Sequence, residues 1–495
     1  MPMLLPPATR AGLLPAERLM PMPVPSRIGS NGEYLPPPQS RALRAYEGRM
    51  VEAIASQPGR HGMEPEEWLA SPHGMATAFA VLGDSFGGGF ITDDAADPEA
   101  ARQRRARDSG QFVFDDQVHF IKDDADPALF VPLTSLVELS ADILGLPHAG
   151  RFSMENIRFA QFLRDIYLAS DTKVALLSGA PGDDADAWML SNDQMAAARA
   201  AVNQVAGGRR LLTHAVIAPG HDGWLDEIDR VHAELKPDGW KGYTVGEPFG
   251  PSRHRWRLDD EALMYPAYER LVNAGVRNLC IHKGLLPADP ALMPGAEPFA
   301  MVDDLPRAAR DWPQLNFIIY HAAYRTIPQP TQAELLRFET SGRIDWVSDL
   351  ADIPAAWGVS NIYADIGASF AFTVLTHPRL AAAMIAILAR GLGADHVLWG
   401  TDSVWYGSPQ WQIEALRRLE MPADLMERFG LPDIAPMKPA ILGLNAAPLY
   451  GLDPADYRKG ALEEGQIPAL VADWQACGGR PSHLSHGWVS PAGEA

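Results

Sequence analysis

The sequence has few cysteines and no long uninterrupted apolar run. Its 495 residues include only Cys280 and Cys477, so no disulfide framework is expected and a reducing compartment fits. The apolar stretch 74–90 contains Asp84 and several glycines and is too short to span a bilayer. The first 27 residues carry seven prolines and no continuous apolar segment, which is not the pattern of a secretory signal. We therefore expect a cytoplasmic protein.

Positive charge is also scarce. Lysine and arginine total 42 against 62 aspartates and glutamates, a net charge of −20. This balance disfavours nucleic acid and anionic membranes as partners, although an anionic substrate in a local pocket stays possible. A hydrophobic content of 47% and a charged content of 21% are those of a globular protein with ample core material. The expected partner is a small molecule.

The N-terminal 110 residues lack the strand pattern that begins at residue 111. Residues 1–40 are proline-rich and aperiodic and predict an extended arm or a poorly ordered tail. Helical patterns cover 41–59 and 97–110, the second with Asp97 as its N-cap. Because a proline-fixed arm can clasp a second copy of the chain, a homodimer is expected.

From residue 111 onward, β-rich runs alternate with helical segments. Eight such runs occur, at 112–121, 173–180, 211–220, 239–246, 276–284, 315–323, 361–368 and 396–403. This alternation predicts a parallel sheet, and eight strands close an α/β (β/α)8 TIM barrel. The competing doubly wound sheet usually carries a glycine-rich phosphate loop after its first strand, which "DDQVHF" is not. The predicted domains are an N-terminal extension over 1–110, the barrel over 111–455 and a C-terminal tail over 456–495.

Polar side chains stand at or near the carboxyl ends of five predicted strands, where barrels carry their chemistry. They are Gln117 and His119 on the first strand, Lys241 on the fourth, His282 on the fifth, His321 on the sixth and Asp402 on the eighth. Because residues two apart on a strand face the same side, Gln117 and His119 reach one space, with Asp115 directed the same way. Several imidazoles and a carboxylate around one mouth indicate a divalent-metal site with an open position.

Three stretches resemble the amidohydrolase superfamily, specifically the amidohydrolase-related group that includes aminocarboxymuconate-semialdehyde decarboxylase and resorcylate decarboxylases. They are "LNFIIYHAA" at 315–323, "GADHVLWGTDSVW" at 393–405 and "ILGLNAAPLYGL" at 441–452, and the resemblance spans roughly two-thirds of the chain. It implies one divalent metal ion with His119, His282 and Asp402 as ligands, and His321 beside it as a catalytic acid or base.

The first strand departs from that family, which normally reads His-x-His where this chain has Gln117 and His119. An amide oxygen is a harder and weaker ligand than an imidazole. We therefore expect either a weakened zinc site, a preference for manganese, or a Gln117 that only orients a water. Another branch of the superfamily carbamylates a strand-four lysine to bridge two metals. This sequence lacks that branch's full ligand set, so Lys241 is interpreted as pairing with a carboxylate or a substrate anion.

Cations and aromatic residues come directly after several strands. They are Arg253, Arg255, Arg257, Lys283, Arg325, Trp405 and Tyr406. Guanidinium groups bind carboxylates bidentately and aromatic faces stack on planar rings. We therefore expect a small carboxylated aromatic or cyclic substrate, contacted by Arg255, Lys241, Lys283, Arg325 and Trp405. His214, His254 and His377 are interpreted as structural.

The leading functional hypothesis is a mononuclear metal hydrolase that uses a metal-activated water. Asp402 would accept the proton of that water, and His321 would polarise the attacked carbonyl or protonate the leaving group. A non-oxidative decarboxylase of an aromatic or related acid is the alternative, because it needs the same metal, histidine and aspartate. A metal-free binding protein on the same barrel is the third hypothesis.

Overall fold

A computed structural model of the chain describes residues 11–30, 34–120, 157–184, 188–248, 251–287, 289–403 and 407–459, together with 472, 476, 483 and 487–491. Its centre is a sheet of eight parallel strands. They are β1 (Phe114–Val118), β2 (Val174–Leu177), β3 (Leu211–Val216), β4 (Gly239–Tyr243), β5 (Asn278–His282), β6 (Asn316–Tyr320), β7 (Ile362–Asp365) and β8 (Val397–Leu398). Each strand pairs with the next in chain order. Every strand lies within the run that predicted it.

The sheet closes on itself next to β8. The amide of Asp402 donates to the carbonyl of Gln117 (2.9 Å), and the amide of His119 donates to the carbonyl of Ser403 (2.6 Å). These bonds join β1 to the segment directly after β8. The predicted (β/α)8 barrel is thereby confirmed.

Within the described residues, four α-helices precede the barrel, namely α1 (Arg41–Arg60), α2 (Pro65–Leu69), α3 (Pro72–Phe86) and α4 (Pro98–Ser109). As predicted, Asp97 caps α4, because its carboxylate accepts from the Glu99 amide at 2.9 Å. The described part of the arm packs on its own chain. The Tyr46 hydroxyl donates to the Val24 carbonyl, and the Tyr34 ring meets the Phe372 ring edge-on at 5.4 Å. The first ten residues of the predicted arm lie outside the described residues, and the homodimer stays a prediction.

The helices of the barrel layer are α5 (Ile157–Leu163), α6 (Asn192–Ala206), α7 (Trp224–Glu234), α8 (Glu261–Ala274), α9 (Glu297–Ala300), α10 (Leu305–Asp311), α11 (Gln332–Ser341), α12 (Val347–Trp357), α13 (Gly367–Thr376), α14 (Pro378–Leu392), α15 (Gln410–Arg418) and α16 (Ala423–Phe429), with α17 (Asp456–Lys459) after them. Their starts depend on local sequence: Ser191 and Gln194 form a reciprocal capping box before α6. Among the helices that the structure describes, none has the length and apolar content that a bilayer span requires.

Strand alternation decides which side chains enter the barrel. In β5, Leu279 and Ile281 pack in the layer shared with the helices, whereas Cys280 packs in a separate interior cluster. Lys241 pairs with Cys280 in the sheet register, so its side chain also points inward. The period of two therefore places a charged residue inside the barrel.

Candidate metal centre

Three side chains meet at the carboxyl end of the barrel and form a triangle. His119 Nε2 lies 3.0 Å from Asp402 Oδ1, and the Gln117 amide nitrogen lies 3.4 Å from His119 Nε2 and 3.1 Å from Asp402 Oδ1. The three residues are 2%, 9% and 1% exposed in the order His119, Asp402 and Gln117. Atoms bound about 2.1 Å from one ion stand about 3.0 to 3.4 Å apart in octahedral or tetrahedral geometry. The triangle thus has the dimensions of one face of a metal coordination sphere.

The orientation of His119 suits a metal ligand. Its Nδ1 lies 2.7 Å from the carbonyl oxygen of Ser178, directly after β2. A carbonyl can only accept a hydrogen bond, so Nδ1 carries the proton and Nε2 presents its lone pair to the triangle. This second hydrogen bond from the distal nitrogen is typical of histidines that bind metals.

His321 has the opposite tautomer. The backbone amide of Ala368 donates to its Nδ1 at 3.3 Å, so in the neutral ring the proton sits on Nε2. That Nε2 lies 3.3 Å from the Gln117 amide nitrogen. Burial lowers the pKa of His321 well below its usual value, and His282 and Lys241 lower it further. At neutral pH His321 therefore offers an N–H to the triangle rather than a lone pair.

The hydrogen bonds of Gln117 test whether a cation fits the triangle. Its amide nitrogen faces the N–H of His321, while its Oε1 is buried without a hydrogen-bond partner among the described residues. Rotation of the amide exchanges the two ends. The oxygen then accepts from His321 and joins the lone pairs of His119 and Asp402, and such converging lone pairs call for a cation. Gln117 Oε1 and Asp365 Oδ1 both lie within 2.8 Å of the point that a Cβ on Gly367 would occupy. The rotated nitrogen therefore takes a position on the same side of the site as the Asp365 carboxylate. The donor set therefore fits one divalent ion.

His282 lies beside this triangle. Its ring stacks on Tyr243 with the centroids 5.0 Å apart and meets His321 edge-on at 4.8 Å. No hydrogen bond joins its imidazole to the triangle within the described part of the chain. The ligand role that the resemblance implies for His282 stays a prediction.

Lys241 occupies the barrel interior. Its Nζ lies 3.4 Å from the centre of the Tyr320 ring and has no hydrogen-bond partner among the described residues. Burial lowers its pKa to about 8. An ammonium over an aromatic face is stabilised by the ring quadrupole, but this one is fully enclosed. It lies behind the mouth rather than on its open side.

A pair of buried acids, which the sequence analysis did not single out, completes the interior. Asp116 lies in β1 and Asp365 ends β7, and both are fully buried. Burial raises the pKa of both carboxyl groups, and their mutual repulsion raises that of Asp116 further. Burial and repulsion between two carboxyl groups favour the protonated form of at least one of them. Asp365 could have been found from the rule that located His321, because it ends a barrel strand.

Most of the cations that follow the strands are engaged with carboxylates, including two of the four predicted substrate-binding cations. Lys283, buried, pairs with Asp304 at 2.8 Å, and Arg325 pairs with Glu334 and Glu297 at 3.4 and 3.5 Å. Further pairs are Arg253 with Asp183 and Arg257 with Asp259 and Asp303.

Arg255 differs from these cations, because it has no carboxylate partner among the described residues and donates to the Pro294 carbonyl at 2.8 Å. Trp405 and Tyr406 lie outside the described residues. Of the predicted substrate contacts that the structure describes on the rim, Arg255 is therefore the one whose positive charge is not already matched by a carboxylate.

Comparisons with known proteins place this site in a family context. A family model described as amidohydrolase matches residues 115–452. No curated protein matches significantly.

Similar solved structures include an uncharacterised TIM-barrel protein from Bordetella bronchiseptica (14% identity, 68% of this chain and 98% of that one, TM-score 0.41). A 5-carboxyvanillate decarboxylase from Sphingomonas paucimobilis is 16% identical over 69% of this chain and 100% of that one, with a TM-score of 0.36. A candidate 2-pyrone-4,6-dicarboxylic acid hydrolase from Pseudomonas putida is 16% identical over 69% and 98%, also with a TM-score of 0.36. The names of these proteins include both a decarboxylase and a hydrolase.

Proposed function

This chain belongs to the amidohydrolase family, and from that premise we propose that it is a metal-dependent hydrolase of a small carbonyl compound. The observation that carries the proposal is the pair of opposite tautomers around one triangle. His119 presents a lone pair and His321 presents an N–H. A site that holds a cation and delivers a proton to the same small space needs both.

Each residue has a distinct part in this proposal. His119, Asp402 and the Gln117 oxygen would hold the ion, which when bound supplies Lewis acidity and lowers the pKa of water to about 7. The Asp402 side chain is 12% exposed against 3% for His119, so its carboxylate reaches the open side and accepts a proton from an incoming water. The His321 N–H, which the Gln117 oxygen accepts in the free protein, would donate instead to the substrate oxygen that gains negative charge. Ser178 and Ala368 fix the two rings in these orientations.

The ligand atoms and Arg255 limit the metal and the substrate to broad classes. An imidazole, a carboxylate and an amide oxygen accept zinc as well as the more oxygen-preferring manganese. Arg255 supports a substrate that carries a carboxylate, because a guanidinium binds that group bidentately. Lys283 and Arg325 are already paired with carboxylates of the protein. They therefore give less support than Arg255 for a carboxylate on the substrate.

The experiment uses metal-stripped protein reloaded with either zinc or manganese and assayed in ¹⁸O-labelled water. Its substrates are a panel of small aromatic and cyclic acids with ester, lactone or amide bonds. We expect turnover that depends on the reloaded metal and one labelled oxygen in the organic product. Release of carbon dioxide without label in the organic product would contradict hydrolysis and establish a carboxy-lyase. Turnover that survives chelation would contradict metal dependence.

A further inference from the structure

A second group of metal-binding side chains lies on three consecutive loops at the same end of the barrel. Asp183 follows β2, His221 follows β3 and His254 follows β4. One carboxylate oxygen and one ring nitrogen from each histidine all lie within 4.8 Å of one another. We propose that these three residues, called here the rim cluster, form a second divalent-cation site. This inference does not depend on the proposed function.

The rim cluster is held in place by its surroundings. The Asp183 carboxylate accepts hydrogen bonds from the Ser252 hydroxyl, from the Arg253 amide at 2.9 Å and from the exposed Arg253 guanidinium at 3.2 Å. Gly246 has a φ of +78°, and any Cβ there would collide with Ser252. A glycine is needed at this point because the loop that carries His254 folds back onto it. Asp183 is thereby fixed in the orientation that the site requires.

The ring nitrogens of the two histidines remain available. The His221 and His254 rings lie face to face, with centroids 3.9 Å apart and planes tilted by 31°. Among the described residues, neither ring nitrogen of either residue forms a hydrogen bond. Because both rings are free to turn a lone pair toward the oriented Asp183 carboxylate within 4.8 Å, the three residues can share one cation.

The ligand types select the cation. Two imidazoles and one carboxylate suit zinc, and also cobalt or nickel, better than calcium or magnesium, which prefer oxygen ligands. Three protein ligands leave a fourth tetrahedral position for water. We therefore assign the rim cluster to zinc or a similar transition metal.

A cation there would tie together the loops after β2, β3 and β4. The first of these loops also contains Ser178, whose carbonyl orients His119, and Gly179, whose carbonyl accepts from the Tyr243 hydroxyl at 3.5 Å. Asp183 lies five residues beyond Ser178 on this loop. A metal on Asp183 would thus hold the segment that positions the central histidine, which gives the rim cluster a structural role.

The test is zinc stoichiometry and affinity of the full chain, measured by calorimetry on metal-stripped protein and by elemental analysis after dialysis. We expect two zinc ions per chain in the native protein and one in both His221→Ala and His254→Ala. The zinc affinity of the rim cluster in these variants should fall by about 10-fold or more. His119→Ala should also retain one ion, and the double variant His119→Ala/His254→Ala none. His61→Ala removes an exposed histidine outside both sites and should keep two.

The outcomes separate this inference from the proposed function. If His221→Ala and His254→Ala both bind as many zinc ions as the native protein, with the same affinity, the second site is overturned. It is also overturned if the native protein binds one zinc ion and only His119→Ala loses it. If the native protein binds one zinc ion, and His254→Ala loses it while His119→Ala keeps it, the rim cluster is upheld and the proposed central metal is contradicted. Far-ultraviolet circular dichroism confirms folding of each variant. His221→Gln and His254→Gln replace any alanine variant that fails to fold.

Discussion

The central triangle and the rim cluster use similar side chains in different settings. Gln117, His119 and Asp402 stand on strands or directly beside them, and their contacts exclude nearly all solvent. Asp183, His221 and His254 stand on loops and are only half-buried. The two proposed sites should therefore differ in duty, with the buried triangle acting in the reaction and the rim cluster acting on the position of the loops.

The largest expected contrast between the two sites is in turnover. His119→Ala should lower kcat/KM by about 10³-fold or more, because a bound metal contributes several kcal/mol to the transition state. His254→Ala should lower it by less than about 10-fold, since it acts only through the loop that orients His119. Steady-state kinetics of the two variants beside His61→Ala measures the contrast. Equal losses in His119→Ala and His254→Ala would abolish the distinction.

The second contrast lies within the central site, between the histidine that binds and the histidine that donates. His321→Ala should lower kcat by about 10²-fold or more, as expected for loss of a general acid. Its zinc content should equal that of the native protein, because its tautomer points an N–H at the triangle. Loss of the central zinc in this variant would show that His321 is a ligand.

The third contrast is between the fully buried Lys241 and the half-buried residues of the rim cluster. The ordinary pKa of its ammonium is 10.5, and burial lowers it to about 8. From pH 8 to 10.5 the unfolded chain keeps a proton that the folded chain has lost, so stability rises with pH. Relative to Lys241→Met, the native free energy of unfolding should rise by about 3 kcal/mol over this interval. Urea unfolding of both proteins at several pH values tests this, and parallel curves would contradict it.

The smallest effect is expected where the chain departs from its family. Gln117→His should tighten zinc binding at the triangle by about 10-fold, because an imidazole is a stronger zinc ligand than an amide oxygen. Calorimetry in the His254→Ala background isolates this site. The same affinity with either residue would place Gln117 outside the ligand set.

The barrel and the central triangle could be predicted from the sequence because both depend on strand periodicity. Alternation brought Gln117 and His119 to one space, and the strand-end rule added His321 and Asp402. The buried acid Asp116 was missed, since a register irregularity between Asp115 and Val118 turns neighbouring residues toward the interior, and a period of two does not encode it.

Loop conformation has no such periodic signal. The sequence led to the interpretation of His254 as structural. Its approach to His221 depends on the folded-back loop at Gly246, which no periodic pattern encodes. The engagement of Lys283 was also hidden, since Asp304 lies 21 residues away along the chain.

The close packing around Gly367 and Gly400 limits how this enzyme can be re-engineered. A methyl group on Gly367 would lie 2.6 Å from His321 Nδ1 and 2.7 Å from Gln117 Oε1, and one on Gly400 would press on the Gln117 Cβ at 2.8 Å. Mutant libraries that vary these two glycines would yield inactive clones, however generous the selection. Adaptation to bulkier molecules must begin in the outer loops, where added volume meets solvent instead of the reacting groups.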